Sequence, residues 1–308
     1  MKTVAIIGAG RVGGAVGRLL AQAGYAVTAV ATRSRETAEQ ARAFIGAGEP
    51  LTDAGKAAAS ADIILITTPD GAIKSVCDSI AAGKGFRTGA VVVHMSGAQT
   101  LDLLDAAKGC GAYRAVIHPL QSVPSMDLGA RNIPGSYFRV ETDPEAARTV
   151  RELVKALGGI ELVMPKWHSD KSSAALYHAG AAAVSNFFVA LVDFGLRYYQ
   201  ALGADKGEAL KAVLPLIKGT LANIESAGIP DALTGPIMRG DIETVRGHIE
   251  AMKVRAPGLL PLYRELARHT VMVAQDKNSI TPQTAADIQK LMEHSCDRHI
   301  DVKGDFRG

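Results

Sequence analysis

Gly8, Gly10 and Gly13 stand at the spacing Gly-x-Gly-x-x-Gly, directly after the apolar run 3–7 and before a helix-patterned stretch. In that setting the first glycine permits a tight turn and the second lets the backbone approach a pyrophosphate. The third lets helix pack on strand, and the helix N-terminus offers unpaired N–H groups and a positive dipole. Arg11 and Val12 complete the turn. The chemistry implied is the binding of a dinucleotide diphosphate; a glycine-rich turn that holds nothing is the plain alternative.

Which dinucleotide is meant follows from the second strand. NAD-binding turns place an Asp or Glu about 20 residues further on, where it accepts from the ribose hydroxyl. Here the strand 25–31 runs instead into Thr32, Arg33, Ser34 and Arg35. Two guanidinium groups among hydroxyls suit a 2′-phosphate, so the expected cofactor is NADP(H). A solvated basic loop is the other reading.

A reducing centre needs a proton as well as a hydride. His118 closes the apolar run 114–117, which puts an imidazole at a strand end with a resting pKa near neutral, as an acid-base partner requires. His118 is the candidate acid-base residue. Thr68-Pro69 and Ser96-Gly97 end two further strands and are expected to border the nicotinamide and its ribose. His94, two residues before Ser96, reads as structural.

Lys171, His178 and Ser185 lie seven residues apart, which on a helix sets them within about 40° of one another, with Asn186 on the adjoining edge. A polar stripe on an apolar helix reads as the lining of a cleft. Lys171 and His178 would hold or polarise the reacting group, with Ser185 and Asn186 as substrate contacts. Arg239, in the loop 233–241, offers a fork for a carboxylate or phosphate, while Asp241 either orients it or caps the next helix. His294, Cys296 and His299 could ligate a metal, but a helix end accounts for them and no metal is expected.

These residues need elements to place them. Strand-like runs at 3–7, 25–31, 61–66, 90–94, 114–118, 137–140 and 160–163 alternate with helical patterns at 11–23, 35–44, 73–82 and 144–157. This is the pattern of a doubly wound, mainly parallel sheet whose ligands sit at the carboxyl ends of the strands. After Pro165 only helical patterns remain, at 170–202, 206–227, 242–252, 259–273 and 282–294. The expected division is 1–165, an all-helical 166–296, and a tail 297–308.

The chain has 308 residues, 47% hydrophobic and 21% charged, with a net charge of +3, enough for a large core and two domains. It shows no basic block or aromatic-interleaved patch, so nucleic acid is not an expected partner; the slight positive balance suits an anionic cofactor and a small anionic substrate. Cys77, Cys110 and Cys296 are few and far apart, which suggests reduced thiols and a cytoplasmic protein. The first strand begins almost at once, leaving no room for a signal peptide. The apolar run 174–192 is long enough to raise a membrane span, yet His178, Asn186 and Asp193 interrupt it, so a buried central helix is expected rather than a membrane.

In these motifs the chain resembles the Rossmann NADP oxidoreductases of the 6-phosphogluconate dehydrogenase-like superfamily. It is most similar to a branch sometimes linked by name to F420-dependent NADP reductases. The carrying residues are His94-Met95-Ser96-Gly97, His118-Pro119-Leu120, Lys171 with Tyr177-His178, Ser185-Asn186, and Ala232-Leu233-Thr234-Gly235-Pro236 with Arg239-Gly240-Asp241. More distantly, His118-Pro119 and Tyr177-His178 resemble segments of prephenate dehydrogenases, although the paired arginines expected for prephenate are not evident. The resemblance implies an α/β Rossmann domain followed by an all-α domain, and the long apolar helices of that second domain suggest that it pairs with a second copy. It further implies hydride transfer to a small carbonyl, imine or hydroxyl compound between the domains, with His118 as acid-base. A catalytically silent NADPH sensor and an F420-linked NADP reductase are the competing functions.

Overall fold

The computed structural model describes residues 2–293, so the tail 297–308 and the group His294, Cys296 and His299 lie outside the described residues. Eight strands form one sheet: β1 (Thr3–Ile7), β2 (Ala26–Ala31), β3 (Glu49–Leu51), β4 (Ile63–Ile66), β5 (Val91–His94), β6 (Tyr113–Pro119), β7 (Tyr137–Thr142) and β8 (Ile160–Glu161). Their order is β3-β2-β1-β4-β5-β6-β7-β8. All pairings are parallel except β6 with β7, which is antiparallel.

The helices between them are α1 (Arg11–Gln22), α2 (Arg35–Ile45), α3 (Ala54–Ala59), α4 (Asp70–Ala82), α5 (Asp105–Gly109), α6 (Met126–Asn132) and α7 (Ala147–Ala156). Every residue of β4 and β5 is buried, because helices cover both faces of a parallel sheet and leave its strands no solvent side. One face packs Val4, Ile6, Leu65 and Val93 against Val16 and Leu20 of α1 and Leu153 of α7. The other packs Ile64, Ile66 and Val92 against Ile73, Cys77 and Ile80 of α4.

The chain winds outward from β1 to β2 and β3, then returns to lay β4 on the other side of β1. That reversal leaves a crevice beyond the carboxyl ends of β1 and β4, the usual ligand position in such sheets. Several short elements escape the sequence pattern: β3 has three residues around Pro50, α3 and α5 have one to two turns, and α6 is seven residues long. Too few turns repeat for a period to show in any of them.

The remaining helices are α8 (Lys171–Val184), α9 (Asn186–Ala201), α10 (Lys206–Ala227), α11 (Ile242–Arg255), α12 (Leu260–Asp276) and α13 (Pro282–Leu291). The first compact unit runs Met1–Phe187 and so includes α8; the second begins at Phe188. In the second unit Val245, Ile249 and Met252 of α11 pack with Val271 and Ala274 of α12 and Ile288 of α13.

The expectation of one long buried helix over 170–202 is corrected on two counts. The helix is interrupted at Ser185, where φ widens to −117° while its N–H still donates to Ala181 O at 3.1 Å, so α8 and α9 are separate elements. It is also exposed: the most apolar 18-residue window within Lys171–Ala201 has a mean hydropathy of 1.6, yet only 6% of that window is buried. Leu176, Val184, Phe187 and Val189 all stand open to solvent. Apolar composition made this segment look like a core, whereas burial depends on what packs against it.

Candidate active site

The glycine turn is built as the spacing implies. Gly8 has φ +85°, and a Cβ there would fall 2.6 Å from Thr68 Cγ2, so neither backbone nor space admits a side chain. At Gly13 a Cβ would meet Thr67 Oγ1 at 2.2 Å. Thr67 Oγ1 donates to Gly8 O at 3.0 Å, fastening the turn to the end of β4. Gly10 differs, since a Cβ there would touch only Gly8 O at 3.9 Å. No neighbour among the described residues requires glycine there. Gly10 is also the N-cap of α1, and no side chain caps that helix, which leaves first-turn N–H groups beside Arg11, Val12 and Gly13 available to an anion.

At the end of β2, Ser34 caps α2 by accepting from Thr37 N at 3.3 Å, and Thr32 Oγ1 donates to Ser34 O at 2.8 Å. Arg35 is engaged by Glu39 at 2.8 Å and by Pro50 O at 2.7 Å. Arg33 is exposed and has no side-chain partner among the described residues. The two arginines that look equivalent in sequence therefore differ: one braces α2 against β3, the other is open to a ligand.

On the far side of the crevice, Val12, Thr68, Asp70, Met95 and Ser96 line a small cavity of about 90 Å³. Pro69 is the N-cap of α4. Thr68 Oγ1 is buried without a partner, a condition a ribose or phosphate oxygen would relieve. The open Gly10, the uncapped α1 and this orphaned hydroxyl together fit a dinucleotide. Ser96 Oγ donates to Asp70 at 2.6 Å. His94 bridges Thr100 O at 3.0 Å and Ser96 N at 3.2 Å, so both ring nitrogens serve the loop. Burial, above all, pushes its pKa down to about 4.

His118 lies opposite Arg139 in the antiparallel β6–β7 register. A Cβ on Gly97 would sit 2.8 Å from His118 Nε2 and 2.8 Å from His178 Cδ2, so only glycine lets both imidazoles close on this turn. The ring centroids of His118 and His178 are 6.4 Å apart. Behind His118, Tyr177 Oη is 2.9 Å from Nδ1. Arg139 is fully buried and donates to Gly97 O at 2.8 Å and Gln99 O at 2.6 Å. Its guanidinium lies 4.7 Å from the Trp167 ring and 3.4 Å from Glu141, which Ser169 also contacts. Burial first, then the charge of Arg139 and the neighbouring histidines, push the pKa of His118 down to about 4. At neutral pH this imidazole is uncharged.

Of the other expected residues, Lys171 is exposed and pairs with Asp102 at 3.7 Å. Ser185 and Asn186 are exposed at the junction of α8 and α9. Arg239 lies in the second unit, exposed, while Asp241 caps α11 through Thr244 N at 3.0 Å. Arg139, Glu141, Trp167 and Tyr177 were not singled out from sequence as site residues. The available signal was Arg139 and Glu141 two apart in a strand-like run, which places both on one face.

Comparison with known proteins agrees with this architecture. Residues 1–119 match the Rossmann-like domain, and residues 136–270 match a domain of unknown function, DUF2520. Residues 1–119 are thus similar to a Rossmann-like domain and residues 136–270 to a DUF2520 domain. His118 lies in the first and Arg139, Trp167, Tyr177 and His178 in the second, so the cluster draws on both. A search of curated proteins found no match. Among solved structures, a Bacteroides fragilis protein assigned as an NADP oxidoreductase is 20% identical with a TM-score of 0.67, covering 87% of this chain and 97% of its own. A Thermotoga maritima protein is 24% identical with a TM-score of 0.67, covering 89% and 99%. A Streptomyces aurantiacus imine reductase is 16% identical with a TM-score of 0.55, covering 94% and 93%. At these identities the likeness is one of fold.

Proposed function

We propose that the protein is an NADP(H)-dependent oxidoreductase acting on a small carbonyl, imine or hydroxyl compound. The single observation that carries this reading is the packing of His118 and His178 on Gly97, at the carboxyl edge of the sheet whose first turn leaves Gly10 open and α1 uncapped. Bound NADPH supplies a hydride; the chain must supply orientation and a proton. Gly10 and the first turn of α1 hold the diphosphate, and Arg33 meets the 2′-phosphate. Thr68, Pro69, Ser96 and Gly97 border the nicotinamide ribose, with Asp70 fixing Ser96 in place. His118 presents a neutral N–H to the reacting oxygen or nitrogen, His178 closes the other side, and Lys171 adds positive charge at the start of α8. Arg239 is the candidate contact for an anionic group.

Leu176, Val184 and Phe187 are exposed apolar side chains of a kind that a second copy of the chain would cover, so the reading includes a homodimer. Cys77 and Cys110 are free thiols, which suits the cytoplasm.

The test is a titration with NADPH and NADH, followed by a screen of small keto acids and cyclic imines for nicotinamide oxidation by wild type and His118→Ala. Expected are tighter NADPH binding, turnover with at least one class, and a loss of about 10²–10⁴-fold in kcat for the variant with its NADPH affinity kept. Absence of turnover across the screen, or full activity without His118, refutes the reading.

A further inference from the structure

The hydrogen bond between Tyr177 Oη and His118 Nδ1, 2.9 Å long, is the only one the phenol makes among the described residues. A phenol has one proton to give. If Nδ1 carried the hydrogen, the hydroxyl would accept that bond and leave its own proton without an acceptor in a half-buried site. We propose that Tyr177 is the positioning residue behind His118: it donates to Nδ1, holds the ring in the Nε2–H tautomer, and resupplies the proton that Nε2 gives up. The proposal rests on the oxidoreductase reading for its last step and on geometry alone for the tautomer.

The proton movements balance. As a carbonyl substrate is reduced, its oxygen gains an electron pair and forms a bond to the Nε2 proton. The N–H bond pair stays on the ring while Nδ1 takes the phenol proton, and a phenolate is left at Tyr177 until solvent reprotonates it. The imidazole thus stays neutral throughout, as its surroundings demand: Arg139 faces it from β7, His178 from α8 and His94 from β5, with Glu141 paired to Arg139. Burial pushes the Tyr177 pKa up to about 12, yet an alkoxide is a far stronger base than a phenolate, so the net transfer runs downhill. Arg139, whose guanidinium carbon is 5.7 Å from the Tyr177 ring centroid, supplies positive charge beside the phenolate. Because Arg139 also holds Gly97 O and Gln99 O, the group that compensates the phenolate is fixed to the loop against which His118 and His178 pack.

Tyr177→Phe tests this, since it removes the hydroxyl and keeps the ring against Arg139 and Trp167. Imidazole ¹⁵N shifts read the tautomer without substrate or cofactor: wild-type His118 should be Nε2–H, and the variant should lose that preference. In turnover, kcat should fall by about 100-fold or more with KM little changed. The residual activity should climb as pH drops toward 4, where an imidazolium takes over the donation; wild type should show no such rise. A wild-type ring protonated on Nδ1, or a variant whose tautomer and pH profile match wild type, overturns the proposal. If the tautomer behaves as expected while no substrate oxidises NADPH, the Tyr177 lock stands and the oxidoreductase reading is what fails.

Discussion

Substituting Gly10 separates ligand binding from folding, because the three glycines of the turn have different neighbours. Gly10 has φ −80° and ψ −150°, which an alanine can adopt, and its Cβ would meet only Gly8 O at 3.9 Å. Less unfolded-state entropy favours Gly10→Ala by about 0.4–1 kcal/mol, and the poorer N-cap opposes it by a similar amount, so stability should stay within about 1 kcal/mol of wild type. The added methyl nevertheless occupies the face from which a diphosphate approaches the backbone. Losing one charge-assisted N–H bond costs about 1.5–3 kcal/mol, so Kd for NADPH should rise roughly 10- to 200-fold. Gly13→Ala should behave differently. Its Cβ would lie 2.2 Å from Thr67 Oγ1 and 3.0 Å from Gly8 O, and such overpacking costs about 1–3 kcal/mol of stability. Calorimetric titration with NADPH and a thermal melt of each variant make the comparison. If Gly10→Ala binds NADPH as wild type does, or melts as early as Gly13→Ala, the assignment of Gly10 to a ligand is wrong.

Arg33→Ala should weaken NADPH binding about tenfold or more and leave NADH unchanged, whereas Arg35→Ala, which loses only contacts to Glu39 and Pro50 O, should move neither affinity much; equal effects of both variants would contradict this division. Stability should fall as pH drops. His94 is fully buried with a folded pKa of about 4 against about 6.5 unfolded, so between those values the unfolded chain binds the extra proton and the native state loses up to about 3 kcal/mol. Urea midpoints at pH 7, 5.5 and 4.5 should show a shallower decline in His94→Asn than in wild type, and parallel slopes would refute the assignment.

The β-α-β start, the sheet strands and the diphosphate turn were legible in the sequence because each rests on local rules. Three to seven residues suffice to show a buried strand, a glycine spacing or the missing acid at the end of β2. His118 was visible for the same reason, as a polar residue closing an apolar strand. What escaped was anything that depends on partners distant in the chain. Nothing near Arg35 announces that Pro50 O will occupy it, and nothing near Ser185 in an apolar run announces a helix break. Arg139 looks like an ordinary charge in a short strand until the antiparallel pairing sets it behind His118.

The sequence by itself determined that a dinucleotide turn opens the chain, that strands then alternate with helices, and that helices alone follow. Periodicity and turn chemistry are properties of neighbours along the backbone. Only the tertiary structure decided which arginine is free for a phosphate, that the apolar helix is exposed, and that Tyr177, Arg139 and Gly97 surround one neutral imidazole. Burial and proton affinity depend on what packs against a group in space, and here those groups lie between 21 and 59 residues away from His118.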